Sequence, residues 1–568
     1  IDLSGCTRVT DRAVCALSGV NTVSLSGCSR ITDVGVAALA GAERVDLSDC
    51  VRVTNRGVAA LAGAKSVSLQ GIAGVGDVAA AALAGLDAVD FSFCSNLTDV
   101  GVCALAGARN VNLTRCHRVT DVGVRALAGV RTLHLTMCQN ITDLGLSALT
   151  GIEEIHLSCC NNITDEGLRA LAGVRSINLT HCPGITDVGI AHLAGVEIID
   201  LSHNDQLTDV GVMALAGARV VRLAHCPRIT DEGVRALAGV HTALLEDCSR
   251  VTDAGACALA GAAHVNLKGC FMVTDRGVAA LAGVHTIDLT GCHRVTSEGL
   301  AALRGAVSVL VGNTRVGDEG VCALVGVHTI DLSGCTRVTD RAVCALSGVN
   351  TVSLSGCSRI TDVGVAALAG AERVDLSDCV RVTNRGVAAL AGAKSVSLQG
   401  IAGVGDVAAA ALAGLDAVDF SFCSNLTDVG VCALAGARNV NLTRCHRVTD
   451  VGVRALAGVR TLHLTMCQNI TDLGLSALTG IEEIHLSCCN NITDEGLRAL
   501  AGVRSINLTH CPGITDVGIA HLAGVEIIDL SHNDQLTDVG VMALAGARVV
   551  RLAHCPRITD EGVRALAG

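Results

Sequence analysis

Cysteine is the most abundant reactive side chain here, at 29 of 568 residues. Cys6, Cys28, Cys50, Cys94, Cys116, Cys138, Cys160, Cys182, Cys226, Cys248, Cys270 and Cys292 fall on one 22-residue period, interrupted by Ile72, Asn204 and Thr314. Stacked at strand spacing, about 4.8 Å apart, such thiols invite a disulfide or metal reading. They would project in parallel, however, and each interruption breaks the row, so a bridging geometry is not expected. A column of small, weakly polar groups instead suits a structural ladder in which each side chain meets backbone groups of the neighbouring turn. Asn204 fits that role, because an amide supplies the same donor.

Histidine raises a second question. His181, His203 and His225 hold one place in three successive units, and His510, His532 and His554 repeat them. Stacked imidazoles are suited to a transition metal or to sensing pH. The same place also holds Asp49, Phe93, Arg115, Met137 and Cys159, which marks a tolerant turn rather than a ligand set. A further column combines Asp2, Ser24, Asp46, Ser68, Asp90, Asn112, His134, His156, Asn178 and Asp200, with Ser or Thr commonly two residues on. Ser158, His156 and His134 are thus close, but on a flat parallel face they point the same way and do not converge on a substrate atom. No glycine-rich phosphate loop or zinc-spaced cluster is present. We expect no catalytic residue, no cofactor-binding residue, no bound metal and no enzyme activity.

The elements that hold these columns are read from Val23–Arg44, VSLSGCSRITDVGVAALAGAER, the unit that recurs along the chain. Val23-Ser24-Leu25-Ser26 alternates as a short strand with Val and Leu inward. Gly27–Arg30 turns the chain and Ile31 returns it to the core. Thr32 and Asp33 suit a helix N-cap, Val36 and Leu39 bury one face of a helix about two turns long, and Gly41 ends it. One such strand is not stable alone; stacked units form a parallel sheet on one side and a row of helices on the other. Fourteen units have 22 residues, and the fifteenth, 309–329, has 21. From Ile330 the sequence repeats residue for residue what began at Ile1, giving a super-period over 1–329 that restarts in 330–568. We therefore expect one solenoid over 1–568, in the manner of a segment of a longer repeating chain.

The pattern LxLxxCxxITDxGVxAL resembles the cysteine-containing subclass of leucine-rich repeats, over the whole chain. The resemblance implies a right-handed α/β solenoid, with a parallel sheet on the concave face and short helices on the convex face. It also implies protein binding, since relatives include the substrate-recognition arms of F-box ubiquitin-ligase subunits. Two departures stand out: the unit is shorter than that subclass usually shows, and no F-box accompanies it.

Composition narrows the function. The net charge of −12 is slight for this length and no Lys/Arg run exists, so nucleic acid is not an expected partner. No stretch supplies the roughly 18 to 20 consecutive apolar residues of a membrane span. Aromatic residues make up only 1% of the chain, which removes the usual anchors of tight interfaces. On the helix, a 100° step per residue turns Val34, Val100, Val122, Leu144, Val188 and Val210 outward, where a soluble monomer would carry charge. This apolar stripe is the expected site of self-association. The leading expectation is a non-enzymatic structural repeat protein that builds a superhelical fibre or filament; the alternative is an F-box-type adaptor using the concave face. Unpaired cysteines favour a reducing compartment, while Asn-x-Thr sites at Asn96, Asn112, Asn140, Asn162 and Asn178 keep an extracellular fibre as the other choice.

Overall fold

The computed structural model describes residues 1–4, 6 and 9–566. The chain divides into two compact units, Ile1–Val284 and His285–Gly568, both built from one kind of coil. In the first, α1 (Asp11–Val14), β1 (Thr22–Ser24), α2 (Asp33–Ala37) and β2 (Arg44–Asp46) set the pattern. Strands follow strands in parallel with every column aligned: Thr22 pairs with Arg44, Val23 with Val45 and Ser24 with Asp46. The same register runs to Thr242–Leu244 against His264–Asn266. In the second unit it runs from Thr286–Asp288 against Ser308–Leu310 to Ile527–Asp529 against Val549–Arg551.

Each coil buries the same set: Val23, Leu25, Cys28, Ile31, Val36, Leu39 and Ala42 are all within 3% of full burial. Strand alternation supplies the first two, and the helix face supplies Val36 and Leu39. The helix is shorter than its sequence suggests. It covers Asp33–Ala37, and the following turn closes by i to i−3 bonds, Leu39 N–H to Val36 O at 2.9 Å and Ala42 N–H to Leu39 O at 2.9 Å. Tighter winding carries the chain farther per residue, which lets a 22-residue coil return to the next strand. Glycine at the end of this turn is left-handed in only some coils, as at Gly173 with φ 96°; Gly41 is not among them.

The Thr-Asp pair does more than cap. Thr32 accepts from its own helix, Val34 N–H at 3.3 Å. Asp11, one coil earlier, accepts from Thr32 twice, from the backbone N–H at 2.8 Å and from the hydroxyl at 2.6 Å. Asp121 treats Thr142 alike, at 2.7 and 2.6 Å. The third partner is the helix glycine. Gly123 N–H donates to Asp99 at 3.1 Å, and a Cβ added at Gly145 would lie 2.6 Å from Asp121 Oδ1. Thr-Asp-x-Gly is therefore an interlock between successive coils.

The 21-residue coil keeps this order. Ser308 still pairs with Thr329 and Val309 with Ile330, so the missing residue is absorbed in the turn between buried Thr314 and Val316. There Thr314 Oγ1 donates to Val311 O at 2.6 Å, within its own coil.

Two substitutions test the interlock. Asp121→Ala should cost about 1–3 kcal/mol, because Thr142 loses both acceptors. Gly145→Ala should cost a similar amount on the native background and clearly less once Asp121 is alanine. Urea unfolding of the single and double variants measures the coupling; strictly additive costs would show that the glycine does not answer to the carboxylate.

Candidate functional site

On the sheet side the outward Asp/Asn column is occupied by its own surroundings. Asp90 Oδ1 accepts from Ser92 N–H at 2.8 Å and Oδ2 from Asn112 Nδ2 at 2.9 Å. Asn112 Oδ1 takes Thr114 N–H at 3.0 Å. Asp46 likewise accepts from Ser48 N–H at 2.9 Å. The side chains close the strand ends and link coil to coil, which is the turn chemistry of Asp and Asn. Ser158 Oγ donates to Asn178 at 2.7 Å, while His156 Nε2 meets Glu154 at 3.0 Å. His134 stacks on His156 at 4.1 Å between centroids, and its pKa is lowered by burial first and by the neighbouring imidazole second. Ser158 and His156 thus face different partners, and no nucleophile–base pair forms among them. The depressions on this face, one along Asp2, Ser24, Asp46 and Ser68, another along Ser397, Asp419, Asn441 and His463, lie open to solvent.

The cysteine column points inward. Cys50 Sγ donates to Leu25 O at 3.2 Å, Cys138 to Leu113 O at 3.0 Å and Cys248 to Leu223 O at 3.1 Å, always one coil back. At the second interruption Asn204 keeps the bond to the preceding coil and adds two more. Its Nδ2 donates to Leu179 O at 2.8 Å and Leu201 O at 2.9 Å, and its Oδ1 accepts Cys182 N–H at 2.9 Å. Ile72 is fully buried with no group to offer. Burial pushes the thiols up from 9.0, to about 11 for Cys28 and about 12 for Cys50 and Cys94, so they stay protonated and unreactive at neutral pH. Cys6 departs from the expected buried column and is exposed.

The histidine position has a backbone requirement that composition did not reveal. His181, His203 and His225 sit at φ 56°, 62° and 56°, as do Asp49, Phe93, Arg115, Met137 and Cys159 near 60°. Glycine takes the place at Gly27 and Gly71, φ 71° and 74°. The turn demands a left-handed residue and accepts the cost in other types. The one sequence signal is that Gly and Asp hold this place in the coils on either side of the bulky run, at Gly27, Asp49, Gly71, Asp247 and Gly269. His203 and His225 stack at 4.4 Å. The metal-competent group among the described residues lies one step farther along: ligand atoms of His225, Glu246 and Asp247 are all within 4.8 Å of one another. No helix among the described residues is long and apolar enough to cross a membrane.

On the helix side Val34, Val100, Val122, Leu144, Val188 and Val210 are all exposed, Val100 by 73%. Val78, outside the expected stripe, joins them at 66% and completes a run of four consecutive coils, Val78, Val100, Val122 and Leu144. Exposed Arg56 precedes the run and exposed Glu166 follows it. The second unit repeats the arrangement with Val407, Val429, Val451 and Leu473 between Arg385 and Glu495.

A family model described as Leucine Rich repeat matches residues 20–40, 130–149, 152–172, 196–216, 219–238, 349–369, 459–478, 481–501, 525–545 and 548–567. Among the curated proteins none matches. A solved structure titled a TLR13–ssRNA13 complex is similar at 15% identity with a TM-score of 0.45, over 80% of this chain and 64% of that one. An internalin (inlF) of Listeria monocytogenes is similar at 16% identity and a TM-score of 0.34, over 61% and 88%. The chain thus spans less than two thirds of the TLR13 chain, and neither likeness bears on what it binds.

Thiol chemistry separates the two cysteine classes. Maleimide at neutral pH should label Cys15, Cys103, Cys257, Cys344 and Cys432 within minutes and Cys50, Cys94 or Cys138 only after unfolding, read by peptide mass spectrometry; equal rates would refute the inward column. Raised thiol pKa values also set an alkaline limit. The unfolded chain ionises first, near 9, so stability is intact below that pH and falls as pH climbs toward about 12. Urea midpoints should accordingly drop between about pH 8 and about pH 10.5.

Proposed function

The chain is a leucine-rich repeat protein, and from that premise we propose a non-enzymatic protein-binding scaffold whose partner is a second copy of itself. The observation that carries this is the four-coil apolar run Val78–Val100–Val122–Leu144, with Arg56 at one end and Glu166 at the other. Contiguous exposed apolar side chains on a soluble surface mark an interaction site. A charge of opposite sign at each end makes the run self-complementary. When two copies meet antiparallel, Arg56 of each faces Glu166 of the other, as a two-fold interface requires.

The chain carries the run twice, so one molecule engages two others and assembly stays open-ended, the route to a fibre or filament. The residues are short aliphatics without aromatic anchors, which suits many weak repeated contacts better than one tight one. The sheet side fits this role less well, because its polar groups are largely spent on each other. The alternative, an F-box-type adaptor that holds a protein through the sheet side, uses none of these valines.

Sedimentation velocity and negative-stain microscopy test the reading. The native chain should form oligomers or fibres that grow with concentration, and Val100→Lys, Val122→Lys, Val429→Lys and Val451→Lys together should leave a folded monomer by circular dichroism. Arg56→Glu with Arg385→Glu should weaken assembly, and adding Glu166→Arg with Glu495→Arg should restore it. A native chain that remains monomeric at its highest soluble concentration excludes self-association and leaves the adaptor.

A further inference from the structure

We propose that His225, Glu246 and Asp247 form a binding site for one divalent transition-metal ion, independent of the self-association surface. The three residues come from two successive turns that the backbone holds together, His225 N–H donating to Glu246 O at 2.8 Å. His225 and Asp247 occupy the same left-handed position one coil apart, both at φ 56°, which aims their side chains along one line at the edge of the sheet.

The aspartate is oriented for the task. Its Oδ1 lies over the next turn, where a Cβ on Gly269 would come within 1.9 Å of it, so only glycine there leaves the carboxylate room. Its Oδ2 is thereby turned back toward His225, 3.5 Å from Nδ1. Glu246 adds a second carboxylate, and it already holds a cationic group, the Lys268 ammonium at 2.7 Å. The ligand atoms lie within 4.8 Å of one another. A metal bound at about 2.1 Å to each would bring them to about 3.4 Å apart, a shift within reach of side chains that are part-exposed, His225 and Asp247 by about two-fifths and Glu246 by about a quarter.

The donor set selects the ion. One imidazole with two carboxylates suits zinc, cobalt or nickel, with water completing the shell; calcium and magnesium favour oxygen alone. His532 and His554 stack at 4.4 Å with 19° between planes, as His203 and His225 do at 4.4 Å and 20°, so stacked imidazoles are a property of the repeated turn, and the two carboxylates are what turn His225 into part of a ligand set.

Titration of the full chain with cobalt(II), followed by visible absorption and calorimetry, tests the site. Binding of one equivalent without a thiolate charge-transfer band is expected. Glu246→Gln and Asp247→Asn, which preserve shape, should each weaken it by about tenfold or more, as should His225→Ala. Lys268→Met should tighten it by removing the competing ammonium, and His554→Ala should change nothing. No binding, binding with a thiolate band, or equal loss in His554→Ala and His225→Ala would each overturn the proposal.

Discussion

One carboxylate per coil ties this protein together. The aspartate that opens most helices faces the next coil, where it accepts the threonine N–H and hydroxyl and, in several coils, the glycine N–H. Asp538 shows the electrostatic consequence: hydrogen bonds from the hydroxyl and N–H of Thr559 hold its carboxyl below the ordinary range. Charge-assisted bonds of this kind are shorter and stronger than neutral ones. Hydrophobic burial drives stacking but is indifferent to small slips along the coil. The interlock is not, because it fixes the helix side of each coil against the next while the strand ladder fixes the other.

Departures from the motif show the constraint at work. Where the next coil begins with glycine in place of threonine, the hydroxyl donor is gone, and the preceding residue is no longer a carboxylate. Asn55 Oδ1 accepts from Gly76 N–H at 2.9 Å and from Ala79 N–H at 3.2 Å. Ser297 accepts Gly317 N–H at 2.9 Å, and Asn384 accepts Gly405 N–H at 2.9 Å. A half-buried carboxylate left with an unmatched oxygen is costly, and a neutral side chain with one acceptor is not. The helix glycine follows the same logic, since it is replaced by alanine beside Asn55. Ala342, in the helix Asp340–Ala345 that faces Asp318, is the exception, a methyl group accommodated beside a carboxylate.

What the sequence made legible were the features that repeat in place. Strand, core positions and the inward thiols follow from a 22-residue period, because each residue's neighbour is then the same residue type one coil away. The cross-coil role of Asp33 was hidden because Thr-Asp already explains itself as a cap within one coil, while its true partner lies 21 residues on. The left-handed turn at His181, Phe93 and Arg115 was hidden by the bulk of those side chains, which ordinarily avoid that backbone region. Helix length was overestimated because the apolar spacing Val36–Leu39 suits an α-turn and an i to i−3 turn alike. His225, Glu246 and Asp247 do not stand out together in the sequence because Glu246 belongs to a different column from His225 and Asp247, and a column-by-column reading never sets Glu246 beside His225.

Function in such a chain divides between what repeats and what does not. A surface present in identical form on many coils offers any partner the same contact at every step, so it favours a partner with matching periodicity, and another copy of the chain has that periodicity by construction. The run Val78–Leu144 acquires direction only from Arg56 and Glu166, two residues that break the apolar column at its ends. The cluster at His225 is likewise defined by a break, where a line of turn residues ends in a carboxylate and an outward hydroxyl position becomes Glu246. In both places the uniform coil supplies rigidity and spacing, and specificity resides in the one or two residues that differ from it. Substitutions at those breaks should therefore change association or metal binding without disturbing the fold, while substitutions in Thr-Asp-x-Gly should do the reverse.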